Sequence, residues 1–103
     1  MKYVYPAIFQ HEGENHAGEK AYSIFFPDIE KGATCGDGLI HAMEMAMDFL
    51  CGAMHDIEES KETVPNPSDI NLLIDGLSHD SFATLIIADT EEYRKTLARI
   101  NNR

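Results

Sequence analysis

Nine apolar residues recur at spacings of three and four between positions 39 and 57: Leu39, Ala42, Met43, Ala46, Phe49, Leu50, Ala53, Met54 and Ile57. That period is the signature of one long amphipathic helix, and its apolar stripe must be covered by another layer. What precedes the helix alternates with period two. From Lys2 to Gln10, Tyr3, Tyr5, Ala7 and Phe9 share one face, while Val4, Pro6 and Ile8 share the other. Pro6 cannot donate a ladder hydrogen bond, so this strand is expected at an edge, or paired on one side there.

The polar run HEGENHAGE (11–19) is a turn, and Lys20 to Phe26 is a second strand with Tyr22, Ile24 and Phe26 on one face. Together they predict an antiparallel hairpin with a long loop. Pro27 ends the second strand, Lys31 to Cys35 suits a short third strand, and Asp37 or Gly38 caps the helix. Within the helix, Asp48, Asp56, Glu58 and Glu59 fall off the stripe and should face water. Gly52 weakens the helix by roughly 1 kcal/mol relative to Ala and suggests close approach to the sheet.

Glu58 to Asp69 holds charges and the pair Pro65 and Pro67 and reads as a loop, and Ile70 to Leu77 fits either a short helix or an irregular turn. Ser81 to Asp89 is a strong strand whose LIIA run is apolar on both faces. Glu91 to Ile100 is a last helix, acidic at its start and basic at Arg99. The expected fold is α+β, in the order β-β-β-α-β-α: a small, mainly antiparallel sheet with a helix packed on one face. A right-handed crossover through the helix is expected if the third and last strands are parallel. At 103 residues the chain is expected to be one domain.

Charge narrows the function. The chain carries 18 acids against 8 bases, a net of −10, and all the acids lie in residues 1–92. Residues 93–103 instead hold Arg94, Lys95, Arg99 and Arg103. So acidic a body repels phosphate, which argues against direct nucleic-acid binding, and attracts a basic protein. Solubility alone is the plainer explanation of the charge. No apolar run is long enough to span a bilayer, and no signal peptide is legible. Two cysteines at no motif spacing, Cys35 and Cys51, read as reduced thiols of a cytoplasmic protein.

The residues resemble the HicB antitoxin family. The opening strand YVYPAIF, the triplet Phe26-Pro27-Asp28, the turn Thr34-x-Gly36-Asp37, the small helix residues Ala42 and Ala46, and the run Asp89, Glu92, Tyr93, Arg94 match that family's pattern in order. Glu30 and Lys31 depart from it where Pro-Gly is common, as do Gly38 at the helix cap and His41 in place of a capping-box Glu. The resemblance implies a partial ribonuclease H-like fold. It also implies an antitoxin that is not an enzyme and needs no cofactor. Its partner would be a small basic HicA-type toxin with a double-stranded-RNA-binding fold, which cleaves mRNA through a histidine.

Phe26, Pro27, Asp28 and Glu30 are the expected partner contacts. Tyr3, Tyr5, Ala7 and Phe9 are the expected edge for homo-oligomer pairing, as a dimer or tetramer. Family members often continue into a DNA-binding domain, so residues 93–103 read as a linker stub to one that these residues lack.

Two rivals come from other classes. A Mg²⁺-dependent nuclease of the ribonuclease H type would need convergent carboxylates, with Asp28, Glu44, Asp48 and Asp89 as candidates. Asp28, however, suits a turn, and Glu44 and Asp48 sit on the water side of the helix. An orphan protein-interaction domain is the other rival. The five histidines show no metal-ligand spacing and read as surface residues, and neither cysteine has a positioned base. Met43 and Met54 fit the core stripe, whereas Met45 and Met47 flank it as candidates for a subunit or partner contact.

Overall fold

The computed structural model describes residues 1–30 and 32–101. Its elements are β1 (Lys2–Glu14), β2 (Lys20–Phe25), β3 (Ala33–Asp37), α1 (Leu39–Ser60), α2 (Ile70–Ile74), β4 (Ser81–Asp89) and α3 (Thr90–Asn101). The four strands form one sheet in the order β3-β2-β1-β4, every neighbouring pair antiparallel. The α+β class and the element order agree with the expectation, and the ambiguous segment after Pro67 supplies the short α2.

Strand order is where expectation and structure part. β1 is internal, paired to β4 from Lys2 to Gln10 and to β2 from Ile8 onward. Pro6 lies opposite Leu85 but beyond the reach of β2, so its missing donor falls where β1 has a strand on one side only. The one-sided pairing expected at Pro6 is therefore present. The edge expected at Tyr3, Tyr5, Ala7 and Phe9 is present in part: from Tyr3 to Ala7 β1 is paired to β4 alone among the described residues, whereas Phe9 is paired on both sides, and the side chains of Tyr5, Ala7 and Phe9 are buried in the core with Tyr3 packed against it. β3 and β4 are at opposite edges and not parallel neighbours, so the condition for a crossover is not met. The hairpin loop is shorter than expected, because β1 runs on to Glu14. Asn15 Oδ1 then accepts from the Ala17 and Glu19 N–H groups to close the turn.

α1 lies across one face of the sheet. Its buried row is Ala42, Ala46, Leu50 and Met54, one residue every four, set against Tyr5, Phe9, Ile24, Ile86 and Ala88. Aromatic contacts knit this layer: Phe9 stacks on Phe82 at 4.8 Å between centroids, and Phe26 on Phe49 at 5.7 Å. The helix begins unusually close to the sheet. A Cβ built on Gly36 would lie 2.5 Å from the Ala42 Cα and 2.7 Å from its N, so position 36 must be glycine.

Gly38, at φ 81°, precedes α1 without a side-chain cap. In its place His41 Nδ1 accepts from the Asp37 N–H at 3.0 Å, so the imidazole recovers part of what a capping-box Glu provides. At the other end the chain reverses through Lys61 in the left-handed region (φ 55°), with Glu62 N–H donating to Ile57 C=O.

Two expectations about α1 need correction. Gly52 admits α3 and not the sheet: its Cβ would stand 3.3 Å from the Tyr93 hydroxyl. Glu58 does not face water. Its side chain is 15% exposed and holds together three elements distant in sequence. Tyr3 Oη donates to Glu58 Oε2 at 2.7 Å, Thr90 Oγ1 lies 2.9 Å from the same oxygen, and Arg94 pairs with Oε1. Burial pushes the Glu58 carboxyl up, but the hydrogen bonds from Tyr3 and Thr90 and the Arg94 charge outweigh it. Glu58 therefore titrates below its ordinary value. The same hydrogen bond, with burial and the Glu58 charge added, pushes the Tyr3 phenol up to about 12.

Asp89 Oδ1 accepts from the Glu91 and Glu92 N–H groups and starts α3 directly off β4. The last helix, expected from Glu91 to Ile100, runs from Thr90 to Asn101 and packs on α1. Lys31, read as the start of the third strand, and the last two residues of the expected linker, Asn102 and Arg103, lie outside the described residues. Among the described residues no helix is long and apolar enough to cross a membrane.

Candidate partner-binding groove

The turn after β2 is tightly wound. Ile29 N–H donates to Phe26 C=O, Gly32 N–H to Ile29 C=O, and Phe26 N–H to Gly32 C=O. This buries Phe26 and Ile29 against α1 and leaves Pro27 and Glu30 exposed. Asp28 points at the loop that follows α1. Its Oδ2 accepts from the Ser68 N–H at 2.9 Å and its Oδ1 from the Ser68 hydroxyl, while Tyr5 Oη donates to Pro65 C=O nearby. Two loops forty residues apart are thereby fixed to each other.

Between these loops, the outward flank of α1 and the ring of Tyr93 runs an open groove of about 880 Å³. Ile29, Phe49, Gly52, Ala53, Ile57, Pro65 and Tyr93 give it an apolar floor and walls. Asp28, Glu30, Asp48, Asp56 and Glu62 line it as well, and among the described residues no Lys or Arg does. The carboxylates register on their neighbours. The Tyr93 phenol is pushed up by burial first and by the charges of Asp48 and Asp56 next; Tyr5 is pushed up by burial and then by Asp28. A trough with an apolar floor and an anionic rim suits a side chain with an aliphatic stem and a cationic head.

Of the four expected contact residues, Asp28 and Glu30 line this groove, Pro27 is exposed beside it, and Phe26 is buried in the core. Sequence reasoning passed over Asp48, Asp56 and Tyr93 as contacts. A signal existed: Asp48, Gly52 and Asp56 are spaced four apart, which places two carboxylates on one flank of a helix with a gap between them.

A second hollow of about 570 Å³ runs between α1, β4 and α3, lined by Met47, Cys51, Ile87, Leu97 and Ile100 among others. Met47 is exposed there; Met45 is half-buried and outside it. Burial pushes the Cys51 thiol up, away from a nucleophile's range.

Two of the four nuclease candidates, Asp28 and Asp89, are otherwise employed. Asp28 ties Ser68 and Asp89 caps α3, and among the described residues no group of three His, Cys, Asp or Glu side chains is placed to hold a metal ion. Two histidines are not surface residues in the ordinary sense. His11 packs on Tyr22 and His55 on Tyr93, each with one buried ring nitrogen that has no partner among the described residues.

Residues 4–72 match the family model described as the HicB_like antitoxin of bacterial toxin–antitoxin systems. The chain belongs to this HicB-like family. It is 38% identical over 66 residues to Antitoxin HicB of Escherichia coli K12, and equally to that of Escherichia coli O157:H7. The matched stretch is 64% of this chain but only 44% of each of those antitoxins. Among solved structures it is similar to a chain of a toxin–antitoxin complex from Streptococcus pneumoniae, at a TM-score of 0.73 and 33% identity, covering 90% of this chain and 73% of that one. A chain of the HicA3 and HicB3 toxin–antitoxin complex shares the fold, at a TM-score of 0.65 and 18% identity, covering 84% of this chain and 99% of that one.

Proposed function

We propose that this HicB-like chain is the antitoxin of a HicA-type pair and neutralises a small basic mRNA-cleaving toxin by binding it. Family membership sets the class, and the groove is the observation that carries the mechanism: five carboxylates gather on one side of the molecule, with no cation among the described residues that line it. Such a surface accelerates encounter with a basic partner, and contact over the groove then excludes RNA from the toxin. The chain acts in the cytoplasm, where the toxin's mRNA would be, and needs neither catalysis nor a cofactor of its own.

Binding of nucleic acid by these residues is not part of the mechanism, and two of the four C-terminal bases are already engaged, Arg94 with Glu58 and Lys95 with Glu92. Self-association as a dimer or tetramer is favoured by another surface. Val4, Leu85, Ile87 and Phe25 are exposed on the sheet face turned away from α1, in addition to the side of β1 that β2 leaves unpaired before Ile8.

The test is growth rescue. Induction of the HicA-type toxin of the same system arrests growth, and co-expression of this chain restores it. Arrest that persists although the chain is present and folded overturns the proposal.

A further inference from the structure

The groove has a more specific geometry than a diffuse acidic patch. Asp48 and Asp56 stand two turns apart on α1, about 12 Å along the axis at 1.5 Å per residue. Gly52 lies midway between them, and Ala53 and Phe49 are beside it on the floor. The row is therefore high at both ends, where the carboxylates are, and low in the middle. The far walls are rigid: the Asp28–Ser68 tie holds one, and Tyr93, set against Gly52, forms the other. Among the described residues neither Asp48 nor Asp56 makes an ion pair, which leaves both charges for a partner.

We propose that this groove docks a basic helix of the partner protein, which carries two cationic side chains about two turns apart and an apolar residue between them. One cation meets Asp48 and the other Asp56; the apolar residue sits over Ala53, beside the Tyr93 ring whose hydroxyl fills the space above Gly52. The groove holds a few side chains and not a whole helix, so the partner's backbone rides on the rim. Arginine fits better than lysine at the Asp48 and Asp56 ends, because its planar head stacks on the neighbouring Tyr93 and Phe49 rings while pairing with a carboxylate. This inference rests on the antitoxin reading for the partner's identity, but not for the groove's chemistry.

The test uses a synthetic N-acetylated helical peptide with two arginines about seven residues apart, near two helical turns, and a leucine between them, added to the isotope-labelled full chain. Expected are NMR shifts centred on Phe49, Gly52, Ala53 and Tyr93. The pair Asp48→Lys with Asp56→Lys weakens binding at least about tenfold, whereas Glu44→Lys with Glu59→Lys, equal in charge but off the groove, changes it less than about threefold. Ala53→Phe alters no charge, fills the floor and also weakens binding about tenfold.

Thermal melts of each variant separate lost binding from lost folding, and the charge pair tests the idea if Ala53→Phe unfolds. Absent binding, equal effects of the two charge pairs, or full binding by folded Ala53→Phe overturns the inference. The same variants in the growth-rescue assay keep the two claims apart. Rescue retained by the groove variants overturns the groove alone; failure of the unaltered chain to rescue overturns the antitoxin reading while the peptide result stands.

Discussion

Gly36 of β3 and Ala42 of α1 are pressed together so closely that a Cβ on the glycine would sit 2.5 Å from the alanine's Cα. The turn joining strand to helix folds straight back, and the backbone of one element is the floor for the other. This contact sets how near α1 lies to the sheet and so where the groove on its outer flank stands. Gly36→Ala should cost about 2 kcal/mol or more, since a clash with backbone cannot be relieved by a rotamer change. Urea denaturation measures it; a midpoint unchanged from the parent chain contradicts the packing described.

Lys61 offers the opposite case. A non-glycine residue in the left-handed region carries a steric cost of about 1 kcal/mol, and Lys61 makes no ion pair among the described residues that would offset it. Lys61→Gly should therefore stabilise the chain by roughly 0.5–1 kcal/mol, with C-terminal fraying of α1 reduced in hydrogen exchange. Destabilisation by the glycine would show that the lysine side chain has a role beyond closing the helix.

The Tyr3–Glu58 bond gives stability a pH signature at both ends. Tyr3 is raised to about 12 when folded, so its contribution is complete below the ordinary tyrosine value near 10 and is lost as pH rises through about 12. Glu58 is lowered when folded, so its contribution is complete above the ordinary carboxyl value near 4.3 and is lost as pH falls through the lower folded value. Tyr3→Phe should cost about 1–2 kcal/mol at neutral pH and remove the last phenol to titrate, at about 12, from an ultraviolet titration, while the raised Tyr5 and Tyr93 remain. A parent chain in which no phenol titrates as late as about 12 would contradict the bond.

Asp28 separates a binder from a nuclease. If its role is to tie Ser68, Asp28→Asn and Ser68→Ala should each lower stability by about 1 kcal/mol and loosen the loop at 61–69. Neither the parent chain nor the Asp28→Asn, Asp89→Asn pair should cleave RNA or DNA with Mg²⁺. Cleavage by the parent that vanishes in the pair would restore the ribonuclease H-type reading.

What could be read from the sequence divides along a physical line. The stripe Ala42, Ala46, Leu50, Met54 and the alternation Tyr5, Ala7, Phe9 are local periodicities, and both became core. Strand order is not local. β1 is internal only because β4, some seventy residues later, returns to pair with it, and no pattern within β1 reports that. Pro6 did carry real information, namely a missing neighbour on one side, but one-sided pairing over a few residues resembles an edge when only the strand itself is read. Glu58 was misplaced for the same reason: helical spacing assigns it to the water side, while Tyr3, Thr90 and Arg94 arrive from the ends of the chain to enclose it. The acidic groove was legible in part, through Asp28 and Glu30. Its other wall, Tyr93, depends on the packing of α3 on α1.

Capture of a basic toxin by an acidic surface of this chain is tested most directly by purifying the tagged chain from its native host at low salt and repeating the purification at high salt, with mass spectrometry of what accompanies it. The predicted result is a stoichiometric small basic protein that is released by salt, because screening weakens exposed charge pairs, and that arrests growth when expressed alone. A chain that purifies alone at low salt, or a partner that is neither basic nor toxic, would contradict it.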